Sequence, residues 1–189
     1  MLEQIIDLDK QLFVFLNGLG SAQFDPFWEL ITKQFNWVPL ILTVLYLIQK
    51  KIGWKNLGVV VLFLALLITF TDQTTNFFKN HFQRLRPCND PEIMEVIRIV
   101  IHRNSFSFFS GHAANSMAAT MFVGLVLRRY YKYVGLLFLF PLIFAYSRIY
   151  LGLHFPGDIL TGYFFGMLFG FCFYKLYQLV VKKYPQLQV

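Results

Sequence analysis

The sequence predicts an all-α protein, a polytopic membrane helical bundle of about five transmembrane helices preceded by an N-terminal amphipathic helix. Three observations predict it. The 189 residues are 57% hydrophobic and 19% aromatic but only 14% charged, where a soluble domain carries about 25%. The apolar residues gather into stretches close to the roughly 20 residues needed to cross the hydrocarbon core. Cations cluster in the short connections between those stretches.

The first element runs from about Leu2 to Leu16. Ile5, Ile6, Leu8, Leu12, Phe13, Val14 and Leu16 alternate with Glu3, Asp7, Asp9 and Lys10. That spacing suits an amphipathic helix, either on the membrane surface or packed as a cap on the bundle. We take residues 1–20 as an interfacial segment, and Asn17-Gly18-Leu19-Gly20-Ser21 breaks it. The first span is expected over Pro26 to Ile48. Glu29, Lys33 and Pro39 fall inside it, so it is kinked or begins as an interfacial piece. Further spans are expected over Leu57–Phe78, Gly111–Leu127, Tyr133–Ile149 and Gly157–Val181. No repeat or low-complexity tract divides the chain, so residues 1–189 are read as one domain, with the chemistry in 79–158.

Lys50, Lys51 and Lys55, then Arg128, Arg129 and Lys132, then Lys182 and Lys183 all fall on one side of this topology. The positive-inside rule makes that side cytoplasmic. The opposite ends of the spans then face outwards, towards the periplasm if the membrane is the inner membrane of a bacterium. A net charge of +7 would raise nucleic acid as a partner for a soluble protein. Here no basic stripe lies on a soluble module, and we expect no nucleic-acid partner. Cys88 and Cys172 lie in a polar loop and an apolar stretch, which argues against a disulfide, and they have no metal-site spacing. No cleavable signal peptide is read at the start.

Three segments on the outward side carry the chemistry. Lys79 and Arg86 are seven residues apart, nearly two helical turns, and Pro87 disfavours continuing the helix. Two cations on one helical face repel unless an anion sits between them; alternatively, they snorkel at the interface. Ser110-Gly111-His112 opens a span: Ser is a good N-cap, Gly lets a ligand approach the backbone, and a helix start suits phosphate. Ser147-Arg148 closes another span, and His154 and Asp158 bracket the start of the last. Their spacing lets the carboxylate orient the ring and leave its other nitrogen free to attack. Each segment alone is compatible with a structural role. Together they set ionisable groups from separate spans at the same end of each, and such groups in a membrane are usually functional.

These segments resemble the signature of the type 2 phosphatidic acid phosphatase superfamily. The chain reads Lys79-x6-Arg86-Pro87, Phe109-Ser110-Gly111-His112 and Ser147-Arg148-x5-His154-x3-Asp158. It departs from the family pattern at Phe109, where Pro is usual, and on sequence alone Phe109→Pro is expected to be tolerated. The resemblance implies a membrane phosphatase working through a phosphohistidine. In that scheme His154 is the nucleophile, Asp158 orients it and His112 is the acid and base. Lys79, Arg86, Ser110, Gly111 and Arg148 hold the phosphate. It implies no metal and no cofactor. The substrate is expected to be a lipid phosphate, undecaprenyl diphosphate first. Phosphatidylglycerol phosphate, phosphatidic acid, lipid A or a lipid phosphotransferase reaction are the alternatives, and a non-catalytic lipid transporter is the competing class. Arg98, His102 and Arg103 are read as solvated loop charges, or as contacts for a second anionic group.

Overall fold

The computed structural model describes residues 2–184, and for Leu2 the backbone alone; the outer limits of the expected domain, 1 and 185–189, lie outside them. Among the described residues there are helices and loops and no strand. Six α-helices follow in order: α1 Leu2–Gly18, α2 Asp25–Thr32, α3 Val38–Phe82, α4 Gly111–Leu127, α5 Leu139–Tyr150 and α6 Pro156–Lys183. Short 3-10 turns lie between them, including Gln34–Trp37 before α3 and Val134–Phe138 before α5.

Two of the five expected spans share one element. In α3 the sequence 38–82 is continuous except at Gly53, whose φ of 75° and ψ of 172° break the ladder. Only glycine takes that conformation without strain, so Gly53 is the hinge between the two arms. The first arm does not begin at Pro26. Asp25–Thr32 forms a separate helix, and Pro39 sits in the first turn of α3 instead of inside a span. The missing proline N–H is no loss in a first turn, which is why Pro39 starts a helix here and does not kink one.

Two stretches, Gln34–Asn89 and Pro156–Lys183, are long and apolar enough to cross a membrane, and Gly111–Leu127 and Val134–Tyr150 are shorter apolar helices. Large apolar side chains stand exposed along the long ones, among them Leu62, Leu66 and Phe77 on α3 and Leu160, Phe164 and Leu179 on α6. In water such faces would be unfavourable; in lipid they are solvated. The protein is an integral membrane protein.

The helices pack most extensively where α4 meets α6. Gly162, Gly166 and Gly170 face α4 so closely that a Cβ on them would meet Ser110 O at 2.8 Å, Ala114 O at 2.6 Å and Ala118 O at 2.5 Å. Small residues at four-residue intervals allow this backbone approach, a means of helix association suited to lipid. Below the seam, Phe122, Leu127, Tyr174 and Tyr177 pack with Ile48, Val60 and Leu67 of α3. Above it, Phe13 of α1 packs with Ala113, Ala145, Phe155 and Ile159. The seam therefore fixes the start of α4 against the start of α6.

α1 has two faces. Phe13 and Asn17 are fully buried, and Asn17 Nδ2 donates to the carbonyls of Arg98, Ile149 and Tyr150 at 3.0–3.1 Å. Ile5, Leu8, Leu12 and Phe15 stand outward and exposed.

Candidate active site

The C-terminal end of α3, the N-terminal ends of α4 and α6 and the C-terminal end of α5 meet at one end of the bundle. Every residue singled out from the three motifs lies in these ends or the adjoining loops. α3 stops at Phe82 because Gln83 turns left-handed, with φ 48° and its N–H on Lys79 O at 3.0 Å. Lys79 is thus on the last turns of the helix and Arg86 beyond it. The two do not share a helical face, as the seven-residue spacing suggests; the turn at Gln83 swings Arg86 inward.

Arg86 is buried, and four of its five N–H groups are engaged. Its Nε donates to Ser105 O at 2.7 Å, Nη2 to Ser105 Oγ at 3.0 Å, and Nη1 to Leu153 O at 2.8 Å and to His154 Nε2 at 2.9 Å. A guanidinium only donates, so Nε2 carries the lone pair and Nδ1 the proton. Nδ1 faces Asp158 Oδ2 at 3.4 Å and Ser107 Oγ at 3.3 Å. His154 is 1% exposed. Burial holds its imidazole well below the ordinary histidine value, and the charges of Arg86, Arg148, Lys79 and Arg84 push the same way. The ring is neutral at physiological pH, with one nucleophilic nitrogen aimed at a cation.

Asp158 is fully buried at the first turn of α6. Its Oδ2 accepts from Ser107 Oγ and from the Phe155 N–H at 3.0 Å, and its Oδ1 accepts from Arg84 Nη1 at 2.8 Å. Pro156 fits the helix start, where its missing N–H is no loss. The main chain of Asp158 also serves: its carbonyl accepts from the Ser110 N–H at 3.0 Å.

Ser110 is the N-cap of α4, its Oγ accepting from the Ala113 N–H at 3.4 Å. A Cβ on Gly111 would sit 3.8 Å from Lys79 Nζ and 3.4 Å from Thr75 Cγ2. The lysine therefore points to the helix start, where free N–H groups favour an anion. His112 follows in the first turn and stacks on Phe144 of α5, with ring centroids 5.0 Å apart. It lies within electrostatic reach of Arg148, His154, Lys79 and Arg86. Arg148, 6% exposed, donates from Nη1 to Thr32 Oγ1 of α2 at 2.6 Å, while its Nε is buried without a partner. A buried unpaired guanidinium N–H is costly, and an anion between Arg148, Lys79 and Arg86 would satisfy it.

All eight residues taken from the motifs, Lys79, Arg86, Ser110, Gly111, His112, Arg148, His154 and Asp158, therefore sit together. Ser147 does not turn to the site; its hydroxyl donates to Phe144 O at 2.6 Å within α5. Arg98 is also occupied elsewhere, paired with Asp25 at 2.8 Å and lying over the Tyr150 ring. That hydrogen bond holds the Asp25 carboxyl below its usual range. His102 and Arg103 are exposed on the loop, and Arg103 lies near enough to act electrostatically on Arg86 and Arg148. Cys88 and Cys172 are both free thiols, one buried and one exposed.

Residues outside the motifs complete the site: Arg84, Ser105, Ser107, Thr32 and Asp9. Arg84 stands as a third cation between Lys79 and Pro87, but its position alone does not reveal its partners. Ser105 and Ser107 lie in an irregular loop and Asp9 in a distant helix, and no spacing marks them. Among the described residues no group of three or more His, Cys, Asp or Glu is arranged to hold a metal ion.

An apolar cavity of about 330 Å³ opens beside this site. It is lined by Trp37, Leu40 and Ile41 of the first arm of α3 and its approach, by Asn115 and Ala119 of α4, and by Phe144. Phe144 is thus shared between the cavity wall and the His112 stack.

The sequence matches the family described as the PAP2 superfamily over residues 34–182. It is 38% identical over 179 residues to a Lipid A 4′-phosphatase of Bacteroides thetaiotaomicron, covering 92% of this chain and 79% of that one. It is 30% identical to a Lipid A 4′-phosphatase of Porphyromonas gingivalis, covering 93% and 75% respectively. Two solved structures share the fold. The PAP2 type phosphatidylglycerolphosphate phosphatase of Bacillus subtilis superposes with a TM-score of 0.70 at 18% identity, covering 92% of this chain and 86% of that one. Aquifex aeolicus LpxE superposes with a TM-score of 0.64 at 24% identity, covering 87% and 93%. The chain belongs to the PAP2 superfamily and is a phosphatase of that family.

Proposed function

We propose that this membrane phosphatase removes phosphate from a lipid by way of a phosphohistidine on His154, and that its substrate is the 4′-phosphate of lipid A. The carrying observation is His154: a buried neutral imidazole, proton on the Asp158 side, lone pair facing the Arg86 guanidinium at 2.9 Å. A phosphoryl group held by Arg86 is presented to that lone pair.

In the first half, Nε2 forms a bond to phosphorus while the P–O bond to the lipid breaks. The bonding pair stays on the leaving oxygen, which takes a proton from His112, whose protonated form the negative charge of the bound phosphate favours. Asp158 holds Nδ1–H and stabilises the cationic phosphoimidazole. In the second half, water attacks phosphorus and gives its proton to His112. The P–N bond breaks, its electrons return to Nε2, and phosphate leaves. Lys79, Arg86 and Arg148, with the Ser110–Gly111 helix start, stabilise the charge on the non-bridging oxygens. These fixed cations carry the neutralisation that a metal ion provides elsewhere.

The two curated relatives at 38% and 30% identity support lipid A ahead of undecaprenyl diphosphate, which the compact form of the chain alone favours. The apolar cavity takes one hydrocarbon chain of the lipid, because it meets the site at Phe144. We place five crossings at the two arms of α3, at α4, at α5 with its preceding turn, and at α6. α1 lies at the interface, and the site faces the periplasmic side of the inner membrane. That orientation rests on the cation clusters at the other ends of the spans.

The test is phosphate release by detergent-purified protein in EDTA from lipid A, undecaprenyl diphosphate, phosphatidylglycerol phosphate and phosphatidic acid, with His154→Ala as control. Preferential release from lipid A, abolished by the substitution, is expected. Turnover retained in His154→Ala would overturn the mechanism, and preference for another lipid would overturn the substrate.

A further inference from the structure

We propose that Asp9 of α1 and Arg84 are positioning residues for His154, acting in series through Asp158, so that the N-terminal helix is part of the active site. The inference rests on the reading of His154 as the nucleophile. It stands on a continuous set of contacts. Asp9 Oδ2 accepts from Arg84 Nη2 at 2.7 Å, and Arg84 Nη1 donates to Asp158 Oδ1 at 2.8 Å. The other oxygen of Asp158 faces His154 Nδ1. Asp9 Oδ1 accepts from the Gly157 N–H at 2.7 Å, so the same carboxylate also holds the first turn of α6. A Cβ on Gly157 would meet Asp9 Oδ2 at 2.8 Å, so this approach needs glycine.

The division of labour between the arginines follows from their partners. Both amino groups of Arg84 are taken by carboxylates, and its guanidinium lies 4.0 Å over the Phe155 ring. Its two ion pairs tie it to carboxylates of the fold, one on α1 and one on α6. Arg86 and Arg148 face carbonyls, hydroxyls and His154, and Arg148 keeps an unpaired Nε. A lone buried carboxylate at Asp158 would be costly. Arg84 offsets that cost from the oxygen remote from His154, leaving the near one aligned with the ring. Asp9 in turn tempers Arg84, so that the cation does not overwhelm the attraction of Asp158 for the His154 proton. Lys10 pins α1 further, with Nζ on Asp90 at 2.8 Å and Glu92 at 2.7 Å.

The charged and titratable groups around His154 are Lys79 of α3, Arg84 and Arg86 after it, His112 of α4, Arg148 of α5 and Asp158 of α6, with Asp9 of α1 behind Arg84. Removing Arg84 leaves Asp158 uncompensated and favours His154 protonation. The acid limb of kcat/KM then moves to higher pH. Removing the Asp9 charge leaves Arg84 uncompensated and moves the limb to lower pH. A purely structural role predicts neither shift.

The experiment is steady-state phosphate release from lipid A across pH by the full chain in detergent, with Arg84→Gln, Arg84→Lys, Asp9→Asn, Gly157→Ala and the double variant Asp9→Asn/Arg84→Gln. Arg84→Gln is expected to lower kcat about 100-fold, the scale of a misplaced catalytic group, with KM within about threefold. Arg84→Lys should recover turnover to within about tenfold of the parent, because it restores the charge without the fork. Asp9→Asn and Gly157→Ala should shift the acid limb down together. The double variant should be no slower than Arg84→Gln, the non-additivity of groups acting in series. Unchanged kcat and pH profile in Arg84→Gln, or a loss confined to KM, would overturn the proposal. If Arg84→Gln does not fold, an unmoved acid limb in Asp9→Asn would overturn it. Turnover surviving in His154→Ala would instead overturn the phosphohistidine reading beneath it.

Discussion

The Ser110 N–H donates to the Asp158 carbonyl at 3.0 Å, joining the starts of the two helices that carry the phosphate loop and the nucleophile's partner. One main-chain bond thus sets the distance between two motifs 48 positions apart in the sequence (158 − 110). It is kept short by Gly162, one turn further along α6, where a Cβ would meet Ser110 O at 2.8 Å.

Replacing a seam glycine should therefore act on chemistry and stability together. Gly166→Leu places a side chain where the Ala114 carbonyl lies within 2.6 Å of the Cβ position. Overpacking of this kind typically costs about 1–3 kcal/mol. We expect a lower unfolding temperature in detergent and a loss of turnover; a protein as stable and active as the parent would refute the role of the seam.

Substituting the two central residues should separate chemistry from binding. His154→Ala should lower turnover by at least about 10⁴-fold, as loss of a nucleophile does. Asp158→Asn should cost about 10⁴-fold by disfavouring the Nδ1–H tautomer. Binding of vanadate, measured by calorimetry on Asp158→Asn, should persist, since Lys79, Arg86 and Arg148 remain.

The acid limb of kcat/KM should lie well below the ordinary histidine value of about 6.5, because burial first and the surrounding cations second keep His154 neutral. The sign is set by the free enzyme: protonation removes the lone pair, so activity falls only once pH drops below the depressed value. A limb at or above 6.5 would mean that His154 is more hydrated than its 1% exposure indicates.

Filling the apolar cavity should raise KM for a long-chain lipid phosphate by about tenfold or more, and leave hydrolysis of a short water-soluble phosphomonoester within about twofold. Ala119→Trp is the variant, since Ala119 lines the cavity away from the phosphate site. Equal effects on both substrates would remove the hydrocarbon chain from this cavity.

Phe109 calls for a changed expectation. The family pattern suggests that Phe109→Pro is tolerated. In the structure Phe109 is fully buried, stacked on Phe165 at 5.2 Å and against Phe78 at 5.4 Å. Phe109→Ala should cost about 3–5 kcal/mol, the usual range for a buried phenylalanine. Phe109→Pro should also destabilise the protein, and thermal unfolding in detergent checks both. An unchanged midpoint in both variants would show that α3, α4 and α6 repack without the ring.

Much of the site was legible because its chemistry sits on helix ends. A Ser before Gly111, a Pro before Gly157 and a Pro after Arg86 each mark a boundary by backbone rules that act locally, and the site residues flank those marks. Arg84 was overlooked because its partners, Asp9 and Asp158, lie 75 and 74 positions away. No periodicity reports a pairing at that range. Thr32 was out of reach for a similar reason: the stretch Pro26 to Ile48 reads as a span that is kinked or begins as an interfacial piece, and neither reading singles out Thr32, which ends α2 and meets Arg148, 116 positions away. The two apolar faces of α1 hid a third possibility, a helix that is both a packed cap and an outward apolar surface. Phe13 and Asn17 serve the first and Leu8, Leu12 and Phe15 the second.

The glycine seam also decides which walls can move. With main chains this close from Ser110 to Ala118, α4 and α6 cannot slide or part without losing contact along three successive turns. The cavity meets a different face of α4, at Asn115, Ala119 and Val123, and its opposite wall is the Gln34–Trp37 turn and the first arm of α3, joined to the second arm at Gly53. His112, His154 and Asp158 stand at or beside the starts of these two helices, so the seam that joins the helices also sets their alignment.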